Sequence, residues 1–534
     1  MRLHHAVAAV FLLAACAKSP GAGPTVIIAA TGDADVLLPP VTAVTTGINV
    51  SDLLFCRLAE LKLALNTVDD SGFQPVLARS WEHPDSLTIV FHLDPRARWQ
   101  DGVPVTAEDV VYTFGIYRDT SVNSPLAPFL EPIDSVTARD SLTVAFRFRR
   151  WYPEQLYDAT YHMRILPRHL LDTIPAARLP TAPFGRAPVG DGPYRFVRWL
   201  AGSEIDLAAD SSWFLGRPGL ARLVWRVTPD LTAAVSGLLA GEADAIEVIP
   251  PPAELERVQR SRDLRLVPYP SPIYMAVVFN QRRSLFADRT VRRALAMAVD
   301  RRTIVLSVFG PFGQVSLGAT SPMQWIWSDS IRQLPFDTAA AARALRLAGW
   351  RRATGGWRSS GGAPLRFTLL VPTSSRVRQQ AATVMQDQLR RFGVELRILP
   401  LEFTVMEQQT RAGDFDAAFV SRTIDPSPAS LLQWWSPGAA DNIGRFADPT
   451  FQALAAAASR ARTRAAAAPL WREALGRLND EAPALFLFSP RNHAAISARL
   501  SHVTIRPDSW LATVTAWQAS GVRPGAPDRS AARP

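Results

Sequence analysis

Residues 75–114 read PVLARSWEHPDSLTIVFHLDPRARWQDGVPVTAEDVVYTF. Leu87, Ile89, Phe91 and Leu93 alternate with Thr88, Val90 and His92, the period-two pattern that predicts a half-buried strand. Asp101-Gly102 supplies a turn, because glycine accepts the left-handed backbone that tight turns need. Thr106 followed by Asp109 is a capping-box start, and Val110, Phe114 and Tyr117 then recur at i, i+4 and i+7 on one helical face. A strand, a turn and an amphipathic helix in this order predict a mixed α/β architecture.

The pattern extends in both directions. TVIIAATGDADVLLPP (25–40) begins as a short apolar strand ending in a polar turn. Val291, Ala294, Leu295, Ala298 and Val299 form a helical stripe, and Gly349 is placed to stop the helix in AARALRLAGW (341–350). Val377, Ala381, Val384 and Phe392 outline a long helix ended by Gly393, after which Val394, Leu396 and Ile398 alternate as a strand. No internal repeat of fixed period emerges. The tail GVRPGAPDRSAARP (521–534) has no periodicity and is expected to be disordered.

A chain of 534 residues has room for three or four domain-sized units or one large lobed architecture. Its 15 Trp, 25 Phe and 8 Tyr exclude a mostly disordered chain. The only cysteines, Cys16 and Cys56, exclude a disulfide framework and a cysteine-rich zinc site. Lysine occurs only at positions 18 and 62, and Lys62 lies in AELKLAL, so no P-loop exists and lysine-dependent cofactor chemistry is disfavoured. The net charge of +10 comes from arginines scattered along the chain without a dense basic block, so no nucleic-acid partner is expected.

Met1–Cys16, MRLHHAVAAVFLLAAC, has a basic start and an apolar run from Ala6 to Ala15. Ten helical residues span about 15 Å, half a bilayer core, so this is a signal peptide. Leu13-Ala14-Ala15-Cys16 resembles the lipobox of bacterial lipoproteins, which implies lipidation of Cys16, a tether to residue 24 and a periplasmic location on a membrane anchor. Cys56 in DLLFCRLAEL is then read as a small buried hydrophobe.

Five segments in sequence order resemble those of the oligopeptide- and dipeptide-type solute-binding proteins of bacterial ABC importers, the extracellular solute-binding protein family 5. They are 75–114, GDGPYRFVRW (190–199), VVFNQRRSLFADRTVRRALAMAVDRRTIV (277–305), AARALRLAGW (341–350) and DNIGRFADPTFQAL (441–454). The resemblance implies an α/β, bilobed periplasmic-binding-protein type 2 fold in its large three-domain form, with a hinge and an interlobe ligand cleft. The first lobe takes residues 25–70, 186–280 including the hinge, and 496–520. An inserted subdomain takes 71–185 and the second lobe 281–495, with hinge crossovers near Tyr269 to Asn280 and Pro490 to Arg499. The partners implied are a small-molecule or peptide ligand and permease subunits driven by cytoplasmic ATPases, with the binding protein itself a monomer. Two alternatives stay open: a secreted cleft hydrolase, and a binding or sensing lipoprotein that serves no permease.

In peptide-binding relatives an Asp three positions before a D-P or E-P pair meets the ligand's amine. Here the pair is Asp425-Pro426 and the position is Arg422, whose guanidinium would repel an ammonium and suits a carboxylate or phosphate. Asp425 is a replacement amine partner. Trp325, Trp327, Trp434 and Trp435 fall in regions that border the cleft in the family, and Phe419 falls where relatives place a pocket aromatic. His162 and His169 flank Pro167, which breaks a shared helical face, so no metal is assigned. GDGPYR (190–195) lacks the third glycine of a dinucleotide loop and reads as a turn. No catalytic residue and no cofactor is assigned.

Overall fold

The computed structural model describes residues 23–250 and 252–520. The signal peptide, Cys16 and the tail from 521 lie outside the described residues. Two large mixed sheets and one antiparallel sheet organise the chain. The first large sheet has the strand order Leu264–Pro270, Arg491–Ser497, Ala245–Ile246, Thr25–Ala30, Arg222–Val227, Glu204–Ala209 and Tyr194–Leu200. The second runs Gln314–Val315, Ala484–Ser489, Ile273–Phe279, Ala417–Thr423, Arg366–Pro372 and Glu395–Leu401. Pro268 and Pro270, and likewise Pro400, sit on edge strands, where a missing N–H leaves no ladder bond unmade.

The chain passes between the large sheets twice, at Pro270–Ile273 and at Ser489–Arg491. The crossings are tied together: the Ser489 hydroxyl donates to the Ile273 carbonyl at 2.7 Å, and Pro270 pairs with Arg491 across the first sheet. This corrects the expected boundaries. Strand Ile273–Phe279 belongs to the second sheet and not to the first lobe, and residues 491–495 belong to the first sheet and not to the second lobe. Sequence similarity placed the crossovers, but only the strand pairing shows which side of each proline the chain changes sheets.

The antiparallel sheet is made of Ala78–Asp85, Thr88–Leu93, Thr143–Phe148 and Ile133–Asp140. Ile89 and Phe91 enter the core, where Phe91 meets Phe146 edge-on at 5.2 Å. The strand is not half-buried as its alternation predicts, since Val90 and Thr88 are buried as well. It is a central strand, and Val90 lies between its cross-strand neighbours Glu82 and Ala145, which cover a residue that the pattern places in water. Helix Ala107–Arg118 starts as expected: the Asp109 carboxylate accepts from the Thr106 N–H at 2.8 Å and its hydroxyl at 3.0 Å, and Val110, Phe114 and Tyr117 are buried.

Helix Arg376–Phe392 stops at Gly393, whose φ of 87° is the left-handed cap that glycine adopts without strain. The GDGPY turn owes its glycines to a close approach. Gly192 N–H and Asp191 N–H both donate to the Leu54 carbonyl at the end of helix Thr45–Leu54, and Asp191 Oδ1 accepts from Cys56 N–H at 2.8 Å. Cys56 is buried and free, and burial raises its thiol pKa well above the ordinary value, as expected for a packing residue. One core runs from the first lobe through the antiparallel sheet onto one face of the second large sheet, and another fills that sheet's opposite face.

Candidate functional site

A cavity of about 700 Å³ opens where the chain crosses between the lobes. Thr31 and Gly32, which follow strand Thr25–Ala30, line it together with Asn49, Glu247 and Trp510 from the first lobe. Tyr269, Ser271 and Asn492 contribute from the crossovers, and Thr423 from the second sheet. The Asn49 amide donates to Glu247 Oε2 at 2.7 Å, and the Tyr269 hydroxyl donates to the Glu247 carbonyl at 3.1 Å. Burial pushes the Glu247 carboxyl up to about 7, against the opposing effect of the Asn49 hydrogen bond.

Two residues of this wall each carry a polar atom that is sealed from solvent and has no protein partner. Trp510 is 2% exposed with an unpaired Nε1–H, and Asp508 has Oδ2 free while Oδ1 accepts from Arg506 at 2.7 Å. A buried donor or acceptor without a partner costs about 1–3 kcal/mol, so both atoms carry a desolvation cost in the protein beside the cavity.

The residues expected from sequence fall into three groups. Phe419 and Trp435 are core. Phe419 packs edge-on against Phe488 on the second sheet's outer face. Trp435 donates from Nε1 to the Tyr274 hydroxyl at 3.2 Å and meets Phe446 and Phe486. Phe419 sits on the opposite face of its strand from Val420, and sequence position alone does not show which face turns to the cleft. That corrects both expectations of ligand contact.

Trp325 bridges the lobes: it is buried and donates from Nε1 to the Thr67 hydroxyl at 3.1 Å. Trp327 is half-buried beside it. Arg422 and Trp434 come together, with the guanidinium 4.1 Å from the ring centroid. Asp425 is partly exposed at the lobe junction, with its carboxyl pushed up to about 7 by burial and then by Glu154. His162 and His169 do not share a site: the first stacks on Phe129, and the second meets Asp101 at 2.7 Å.

Sequence reasoning missed Glu247, Asn49, Trp510 and Glu154. Tyr269 and Asn492 lie in the expected crossovers, which was a usable signal. The others carry no local motif: Glu247 is placed by the first sheet's long-range pairing of residues 245–246 with strands 25–30 and 491–497, and Glu154 meets Ser427 from 273 residues away.

Two lobes joined by paired crossovers, with a polar cavity at the joint, are the architecture of a ligand-binding protein. The chain belongs to the bacterial extracellular solute-binding proteins, family 5: the family model described as "Bacterial extracellular solute-binding proteins, family 5 Middle" matches residues 72–442. Its fold is the mixed α/β, bilobed periplasmic-binding-protein fold, and it is a solute-binding protein.

The chain is similar to the oligopeptide-binding protein AppA of Bacillus subtilis (strain 168), with 27% identity over 439 residues, 79% of this chain and 78% of AppA. It is also similar to heme-binding protein A of Haemophilus influenzae, with 24% identity over 483 residues and 84% of each chain. The structure of Bacillus subtilis AppA in complex with a nonapeptide superposes with a TM-score of 0.75 at 24% identity, covering 94% of this chain and 100% of that one. The ABC transporter substrate binding protein CtaP of Listeria monocytogenes gives 0.81 at 21% identity, covering 93% and 100%. These two superpositions carry the fold, and ligand identity has to be argued from the site.

Proposed function

We propose that this chain is the substrate-binding component of an ABC importer, that it captures a peptide-like solute between its lobes, and that it hands the solute to a membrane permease. The cavity at the crossovers carries this reading, because it lies where the chain passes between the lobes and its lining includes the polar residues Asn49, Glu247, Tyr269, Thr423 and Asn492. The names of the relatives, an oligopeptide-binding protein and an ABC transporter substrate binding protein, support the solute class and the permease partner. The family description favours binding over a cleft hydrolase.

In this reading the protein works as a periplasmic monomer held to the membrane by lipid on Cys16. The two lobes close on the solute. Arg422, supported by Trp434, receives an anionic group of it, and only the closed form contacts the solute from both sides. The test is mass spectrometry of small molecules that co-purify with the protein, followed by small-angle scattering with and without the one identified. A solute that shrinks the scattering radius is the expected result, and a protein that carries no solute and keeps one radius would falsify the reading. Cys16→Ser should release the chain from membranes.

A further inference from the structure

A second cavity, of about 620 Å³, lies within the second lobe and shares no lining residue with the cavity at the crossovers. Its walls come from helix Thr338–Leu347, helix Arg376–Phe392, the start of helix Arg301–Phe309 and the hairpin of Arg351–Ala353 with Gly356–Arg358. It sits against the core that fills the second sheet's far face: Trp357 belongs to that core, and Ala342, Val384 and Phe392 pack on it.

Local sequence builds this space. Thr338, Ala342 and Arg346 recur every fourth residue, so one stripe of the helix turns to the cavity, and alanine at its middle leaves room that a larger side chain would take. Arg352 and Trp357 are cross-strand partners in the hairpin, which puts both side chains on one face. Paired hydrogen bonds pin the walls. The Asp300 N–H donates to Gln388 Oε1 at 2.9 Å, and Gln388 Nε2 donates back to the Asp300 carbonyl at 3.1 Å. Trp357 Nε1 donates to the Phe392 carbonyl at 2.8 Å. A preformed cavity of this size falls among small-molecule sites, which measure about 300–1,000 Å³.

Its charges are unbalanced in one direction. Of the two carboxylates on the wall, Asp300 caps its helix, accepting from the Arg302 N–H at 3.0 Å and the Thr303 hydroxyl at 2.6 Å, and Asp387 pairs with Arg390 and Arg391. Arg346 and Arg352 remain, and among the described residues neither has a carboxylate partner. Their guanidinium carbons stand 5.8 and 5.6 Å from the centroid of the same Trp357 ring. Two cations gathered at one ring repel each other, and an anion between the cavity's arginines offsets that cost. Phe336, also on the wall, is 52% exposed, a large apolar ring left half uncovered beside an apolar surface of alanine, valine and phenylalanine.

We propose that this cavity binds a small amphipathic anion, a carboxylate on a flat apolar body, with the carboxylate held by Arg346 and Arg352 and the body against Phe336, Ala342 and Val384. Such a ligand touches the second lobe alone, so it binds whether the lobes are open or closed. The proposal therefore stands apart from the reading of the interlobe solute.

The test is isothermal titration calorimetry of the full chain with naphthoate and with naphthamide, its uncharged counterpart. Naphthoate should bind at one per chain, ~tenfold more tightly than naphthamide, as a charge-assisted hydrogen bond implies. Arg346→Gln and Arg352→Gln should each shrink that gap severalfold. Ala342→Phe, which fills the cavity, should abolish binding of both compounds, and Ala339→Phe, at an exposed position of the same wall, serves if it fails to fold. Equal affinity for the two compounds overturns the anion seat. Naphthoate binding that survives all of these substitutions lies elsewhere, the interlobe cleft included, and overturns the assignment to this cavity. No binding of naphthoate at millimolar concentration overturns the site itself.

Discussion

The guanidinium of Arg422 rests 4.1 Å from the centre of the Trp434 ring, and no carboxylate of the described residues lies within ion-pairing distance of it. Arg422 is 9% exposed, and burial lowers its pKa ahead of the opposing influence of Tyr274, Asp441 and Glu407. A desolvated cation–π contact contributes about 2 kcal/mol, and among the described residues it is the one direct interaction the guanidinium makes. Trp434→Ala should therefore destabilise the protein by about 2 kcal/mol in urea unfolding. Arg422→Met, which exchanges an unpaired charge for an apolar chain, should change stability by less than about 1 kcal/mol.

Arg422 also gives the anionic end of the proposed site a direct test. Arg422→Ala should weaken binding of a peptide with a free carboxylate by roughly 1.5–3 kcal/mol and leave its C-terminally amidated form unchanged. Calorimetry that finds both peptides unaffected would remove Arg422 from the site.

The Thr67 hydroxyl is a relay across the lobe junction, accepting from Trp325 Nε1 at 3.1 Å while donating to Glu154. Thr67→Val keeps the shape but leaves the indole N–H and one carboxylate oxygen unpaired in the closed form alone, since opening returns both to water. The closed form should lose about 1–3 kcal/mol relative to the open one. The readout is a larger scattering radius for the solute-free variant than for the wild type, with an unfolding midpoint nearly unchanged.

What the sequence made readable follows from how local each feature is. The capping box at Thr106 and Asp109, the stop at Gly393 and the stripe Val110, Phe114, Tyr117 are set within a turn or two of chain, so composition and spacing sufficed. The cleft was less legible. Arg422 and Trp434 were both singled out, but their contact depends on how strand Ala417–Thr423 faces the segment that follows it. Phe419 was misplaced because it is three residues from Arg422 in a strand and so falls on the opposite face. Glu154 and Asp425 are 271 residues apart, and nothing local to either announces the other.

Gly190 and Gly192 test the reading of the GDGPY turn. A Cβ on Gly190 would lie 1.8 Å from the Leu54 carbonyl oxygen, and one on Gly192 would lie 2.3 Å from that of Leu53. Both obstacles are backbone at the end of a buried helix, so neither can swing aside. Gly190→Ala should cost about 3 kcal/mol or more, at or beyond the upper range for overpacking. Gly102→Ala, in a turn with open space around it and φ at 93°, should pay only for its backbone conformation, about 1 kcal/mol. Thermal unfolding of the two variants side by side distinguishes close approach from turn strain.

Glu247 makes the stability of the cleft depend on pH with a definite sign. Its carboxyl is pushed from 4.5 up to about 7 by burial, so the folded protein holds that proton more tightly than the unfolded chain does. Below about pH 4.5 both states are protonated and no penalty exists. As the pH rises the unfolded chain releases its proton first, and the penalty grows until about pH 7, above which it is constant. Allowing for the partial exposure of this residue, the full penalty is about 2 kcal/mol. Glu247→Gln keeps the Asn49 contact as a neutral amide and removes the titration. Its stability relative to wild type should be level near pH 4.5, climb through pH 5 to 7 and plateau about 2 kcal/mol higher at pH 8. Asp191 and Asp425, which burial also pushes up to about 7, cancel in that difference because both proteins carry them. A difference that stays flat across this range would mean that water reaches Glu247 freely and that the cavity wall supplies no desolvated acceptor there.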